Sequence, residues 1–174
     1  MGDEVTVLSH AIDQAGDVLD HVHADHLDRG TPCADWTVAG LVDHLVAAPG
    51  RFLTMMRGEE PDWSSDPHVA ESWGPAFRAH GDDLVHAWHQ HERDAPVPAD
   101  WQIAELAVHT WDLAMAIDFP PDRLDPEVAE HGLAFMQANL TAENRGPAFA
   151  AEAPVPEGAG PYERLAAFAG RTVA

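Results

Sequence analysis

The chain has 174 residues, enough for one domain with a sizeable core, and 45% of them are hydrophobic, which suits a soluble globular fold. Thirty acidic residues against nine basic ones give a formal net charge of −21, a surface that repels nucleic acid and anionic membrane. No apolar run is long enough to span a bilayer, no basic-then-apolar leader is visible, and the single cysteine, Cys33, excludes an internal disulfide framework and fits a reducing cytoplasm.

Residues 4 to 28 read as one long amphipathic helix, with Leu8, Ile12, Ala15, Val18, Leu19, Val22 and Leu27 on the 3.6-residue period. His21, His23 and His26 lie near its end. A His23/His26 pair has metal-compatible spacing, but a solvated helix end that favours cations accounts for it more simply. Gly30 to Asp35 form a turn. Thr37 then caps a second helix whose apolar face is Val38, Leu41, Val42, Leu45, Phe52, Leu53 and Met56. His44 sits at the margin of that face, turned either to the core or to a site. Pro49-Gly50 should kink or break this helix, because Pro49 has no N–H for the carbonyl of Leu45.

Gly58 to Pro67 is an acidic, Pro- and Ser-rich loop, and Asp66-Pro67 carries a helix-start signature. Gly74-Pro75 interrupts, and a third helix is expected from there to about Asp94, with Phe77, Leu84 and Trp88 as its stripe. His86, His89 and His91 are only loosely on one face and read as surface imidazoles. Residues 94 to 100 are a short stiff linker.

The fourth helix is expected over residues 101 to 118, with Asp100 as N-cap and Pro120-Pro121 beyond its end. Nearly everything in it is apolar or small, so it should be largely buried. Its ionisable residues before Asp118 are Glu105, His109 and Asp112, which fall within roughly 60° of arc at about 100° per residue. Leu106, Leu113 and Ile117 flank that stripe on one side, Val108 and Met115 on the other, so it points inward. Buried charge must be paired or must ligate a cation. Glu105 and His109, at i and i+4, can reach one metal ion, or they can form a buried hydrogen-bonded pair. Spacing alone leaves both readings open.

Asp125-Pro126 starts a further helix in which Leu133, Phe135, Met136 and Leu140 should pack. Residues 144 to 161 have no period and read as extended loop. A last short helix buries Leu165 and Phe168 and ends at Gly170. With no convincing strand and no internal repeat, the expected fold is all-α: one domain over residues 1–174, a four-helix bundle with an extension from about residue 122 packed on it.

The segment TPCADWTVAGLVDHL resembles a T-P-C-x-x-W-T-V-x-x-L-x-x-H-L motif, and AELAVHTWDLAMAI resembles E-L-x-x-H-x-W-D-L-A. The closing PVPEGAGPYERLAAFAGR resembles a P-x-P…RLLAxxGR pattern. All three resemble an actinobacterial family of the DinB-like superfamily, related to the N-terminal domain of mycothiol-dependent maleylpyruvate isomerase. The resemblance implies a four-helix bundle holding a divalent metal, with His44, Glu105 and His109 as ligands by position. Two imidazoles and a carboxylate leave coordination positions open, as in catalytic zinc sites, and the same set suits nickel, iron or manganese. Asp112 is outside the implied ligand set and reads as an outer acid accepting from an arginine or a tryptophan N–H. Pro49-Gly50 and a short segment between the third and fourth helices depart from the family pattern. The isomerase's second domain has no counterpart in these residues, so the resemblance does not imply isomerase activity.

These readings imply a metal-dependent transferase using a low-molecular-weight thiol, with mycothiol as cosubstrate and an electrophile of unnamed class as partner. A metal-dependent hydrolase with Asp112 or Glu105 as base is the alternative on the same site. A non-catalytic, ligand-binding or dimerising bundle is the third reading. Cys33 has no visible base beside it and reads as structural. Partners are small molecules and, for such a bundle, a second copy in a homodimer.

Overall fold

The structure is a computed structural model and describes residues 3–91, 94–146 and 149–173. Its helices are α1 (Asp3–Asp20), α2 (Val38–Met56), α3 (Trp73–His91), α4 (Ala99–Ala116), α5 (Pro126–Asn139) and α6 (Pro161–Phe168). The all-α architecture is the one the sequence implies. Among the described residues there is no strand, only an isolated antiparallel bridge between Gly30 and Thr37. No described helix is long and apolar enough to cross a membrane.

Helices α1 and α2 each pack on both α3 and α4, so the bundle closes in the order α1, α3, α2, α4. Helix α5 lies against the outer side of α4, and α6 against α5. Sandwiched this way, α4 is buried on nearly every side: Ile103, Leu106, Ala107, Val108, Leu113 and Ala114 are all inaccessible or nearly so. That explains the low polarity of its sequence. Polar side chains, the first two sets buried and the third at the surface, tie the layers together. Trp88 on α3 donates to Gln102 Oε1 on α4 at 3.0 Å. Gln14 on α1 donates to the Tyr162 hydroxyl of α6 and accepts from the Asp125 N–H at 2.8 Å. Arg78 on α3 reaches Asp17 and Asp20 on α1 at 2.9 and 2.8 Å.

Several local expectations hold. Thr37 caps α2 by accepting from the Gly40 N–H, and Asp125 caps α5 by accepting from the Glu127 N–H. Four others are corrected. The first helix stops at Asp20 rather than near residue 28. The His21 and Val22 N–H groups close back on Val18 and Leu19, and Ala24–His26 forms a separate 3₁₀ turn entered through an extended His23. Of the kink or break expected at Pro49-Gly50, the break is absent: helix α2 runs through Pro49, which removes one donor while its ring is buried. Asp66 caps no helix; the chain from Gly58 stays irregular until Trp73, and the Asp66 carboxylate is spent on Arg51. Helix α4 starts at Ala99 with Pro98 as its N-cap, which puts Asp100 in the first turn. The expected end of α3 near Asp94 falls partly on residues 92–93, outside the described residues.

The irregular segment from Gly58 to Ser72 is strapped along α2. Arg51 donates to the carbonyls of Asp62 and Ser65 at 2.9 and 2.7 Å and pairs with Asp66 at 2.6 Å. Asp43 accepts from the Val69 N–H at 3.0 Å and meets His68 at the same distance. The strap therefore has two anchors on α2, and His44 stands between them in sequence.

Candidate metal centre

His44 on α2 and Glu105 and His109 on α4 converge where these two helices pack. One ligating atom from each lies within 4.8 Å of the others. His44 Nε2 is 3.1 Å and His109 Nε2 3.4 Å from the same oxygen, Glu105 Oε1. His44 and His109 are buried, and the Glu105 side chain keeps 14% of its surface exposed. The two imidazoles meet edge to face with ring centres 4.9 Å apart. Trp36 covers both, with its ring 4.4 Å from His44 and 5.2 Å from His109.

Around this group lie two further acids, each held by an arginine. Asp112 faces His109 Nδ1 at 3.3 Å and receives Arg171 in two-pronged fashion at 2.7 and 3.1 Å. Asp66, on the strap, lies 3.5 Å from His44 Nδ1 and takes Arg51. The same strap brings Trp63 beside His44, with ring centres 6.4 Å apart. Trp63 is 42% exposed, with the Arg51 guanidinium 5.0 Å from its ring centre and Trp101 edge-on at 6.0 Å.

Burial opposes the Glu105 charge, but the imidazoles of His109 and His44 outweigh it and hold the carboxyl well below the ordinary range. Burial alone would lower the His109 pKa; Glu105 and Asp112 instead push it up to about 9. Asp112 stays ionised against its own burial because His109 and Arg171 hold it down. Burial raises the pKa of the Cys33 thiol, with Arg171 opposing and Asp112 adding to the rise.

The stripe expected on α4 is thus inward-facing as read, and His44 turns toward it rather than toward the core. The donor set fits a divalent transition metal: two Nε2 atoms and one carboxylate meet, and both Nδ1 atoms face other acids. His109 Nδ1 is buried without a well-aligned hydrogen bond, its 3.3 Å contact to Asp112 being poorly directed. His86, His89 and His91 are exposed along α3, as expected of surface imidazoles. A second grouping, His10 with Asp125 and Glu127, lies at the surface where Asp125 already caps α5. Sequence reasoning missed Arg51, Asp66, Trp63 and the identity of Arg171 as the partner of Asp112. Only Asp66 carried a local signal, and that signal was a helix start.

No solved structure matches the chain. Two uncharacterised Mycobacterium tuberculosis proteins, MT0763 from strain CDC 1551 / Oshkosh and Rv0738 from strain ATCC 25618 / H37Rv, are each 33% identical to it, over 98% of this chain and 99% of their own length. Residues 8–96 match the family described as the mycothiol maleylpyruvate isomerase N-terminal domain, a span that includes His44 and stops before Glu105. The chain belongs to the mycothiol maleylpyruvate isomerase N-terminal domain family.

Proposed function

We propose that the protein is a metal-dependent transferase that uses a low-molecular-weight thiol, mycothiol by family kinship, with His44, Glu105 and His109 as the metal ligands. The convergence of these three side chains on one point between α2 and α4 carries the reading. A divalent cation held there supplies Lewis acidity that favours the thiolate form of a thiol. The chain's own groups suit an anionic sulfur. Glu105, Asp66 and Asp112 oppose Arg51 and Arg171, so with neutral imidazoles the cluster carries a single net negative charge for a divalent ion to reverse. Trp36 shields the imidazoles from water, and Trp63 offers an exposed apolar face beside them for an electrophile.

The hydrolase alternative gains no support from the geometry. Asp112 is inaccessible and spent on Arg171, and Glu105 is shared between two imidazoles, so neither is free to serve as a general base. The deciding experiment follows thiol consumption with mycothiol and a chromogenic aryl halide. Turnover that is lost on chelation, restored by Zn(II) and absent in His109→Ala supports the transferase. Turnover indifferent to chelation and to His109→Ala rejects it.

A further inference from the structure

We propose that Asp66 and Asp112 are positioning residues for the two imidazoles: each holds its histidine's proton on Nδ1, so that both Nε2 lone pairs face one cation at Glu105. This rests on the reading of His44, Glu105 and His109 as ligands and adds the groups that aim them. The two arms have the same construction. In each, one carboxylate oxygen faces an imidazole Nδ1 and also receives an arginine: Asp66 Oδ1 takes His44 at 3.5 Å and Arg51 at 2.6 Å. Asp112 Oδ2 takes His109 at 3.3 Å and Arg171 at 2.7 Å. The arms come from unrelated parts of the chain, the strap after α2 in one case and α4 with the residue beyond α6 in the other. A helical repeat therefore does not produce the likeness.

The arginines explain why these acids aim rather than ligate. A carboxylate clamped by a guanidinium is fixed in direction and stays ionised. An ionised carboxylate beside Nδ1 attracts the ring proton there and leaves Nε2 as the free donor. The opposite tautomer would direct two N–H groups at one Glu105 oxygen and leave two lone pairs facing carboxylates. A cation between the Nε2 atoms and Glu105 removes the matching repulsion from the proposed arrangement. Both contacts exceed a normal hydrogen-bond length, so they act as charge contacts that tighten when the rings are drawn onto a metal.

The test is Zn(II) affinity of the full-length, untagged protein, measured by competition with a chromophoric chelator, for wild type, Asp66→Asn, Asp66→Ala and Asp43→Ala. Asp43 anchors the same strap through Val69 and His68 without facing His44 through Asp66's carboxylate, so it isolates a purely structural effect. Expected is a loss of roughly 10- to 100-fold for both Asp66 variants and less than about twofold for Asp43→Ala. Asp112 is inaccessible, and its variants risk misfolding, so its arm is read in the wild type. Long-range proton–nitrogen NMR of the zinc-loaded protein should show both histidines protonated at Nδ1 and bound through Nε2. Unchanged affinity in the Asp66 variants, an equal loss in Asp43→Ala, or ligation through Nδ1 overturns the proposal while leaving the metal centre standing. Failure of the wild type to take up zinc overturns both.

Discussion

Arg171, the residue after the terminal helix turn, grips Asp112 in the middle of α4 with Nε and Nη2 at 3.1 and 2.7 Å. Both side chains are almost wholly inaccessible, and Asp112 in turn faces the candidate ligand His109. The closing segment of the chain is thus keyed into the candidate site rather than laid over the surface.

Removing Arg171 takes the two-pronged partner from the buried Asp112 carboxylate and leaves it to the poorly directed His109 contact. Arg171→Ala is expected to cost about 3–5 kcal/mol of stability, read as a lower urea midpoint at unchanged slope. The double variant Arg171→Met with Asp112→Leu should recover much of that loss, because it removes both charges of the pair together. A double variant no more stable than Arg171→Ala would place the loss in packing at Arg171 rather than in the orphaned charge.

A second variant separates fold from site. A Cβ at Gly81 on α3 would come within 2.6 Å of the Ile12 Cγ2 methyl on α1, and Ile12 is buried and stiff at its β-carbon. Gly81→Ala should therefore destabilise the protein by about 1–3 kcal/mol by overpacking, with metal stoichiometry unchanged. A thermal melt and metal analysis on the same sample check both halves.

The pH dependence follows from His109, whose pKa rises from an ordinary 6.5 to about 9 in the metal-free fold. A group raised in the folded state contributes stability that is complete below its unfolded value and is lost as pH passes through the folded one. In chelator, stability should fall between about pH 6.5 and 9, by roughly 3 kcal/mol at most. Urea unfolding across that range tests this. A flat profile there would mean that Glu105 and Asp112 do not hold a proton on His109.

The same proton bears on metal uptake. His109 must give up its Nε2 proton to ligate, so uptake near pH 7 should release a proton, and affinity should rise with pH. Calorimetry in two buffers of different ionisation enthalpy counts the protons released. Identical heats in both buffers would show that none is.

What the sequence disclosed follows from what is local. Glu105, His109 and Asp112 share one helix, so their period alone puts them on one inward face, as the structure shows. Thr37 and Asp125 were legible because a cap needs only the next few residues. His44 was ambiguous from period, since a margin residue can turn either way, and family motifs rather than spacing pointed it to the site. Asp66 was misread because Asp-Pro is a helix-start signal wherever no stronger partner competes; here Arg51, on the preceding helix, takes the carboxylate. Pro49 was overrated as a breaker because a buried helix in a packed bundle tolerates one missing donor. Arg171 reaches Asp112 only through the docking of the chain's end against α4 and α5, a tertiary fact no window contains.

The central claim is that His44, Glu105 and His109 form one metal site, and elemental analysis of the protein purified without a histidine tag tests it most directly. About one equivalent of a transition metal per chain, lost in His44→Ala, Glu105→Ala and His109→Ala, is the expected result. No metal, even after exposure to Zn(II) and Ni(II), would contradict it and reduce the three side chains to a buried hydrogen-bonded group.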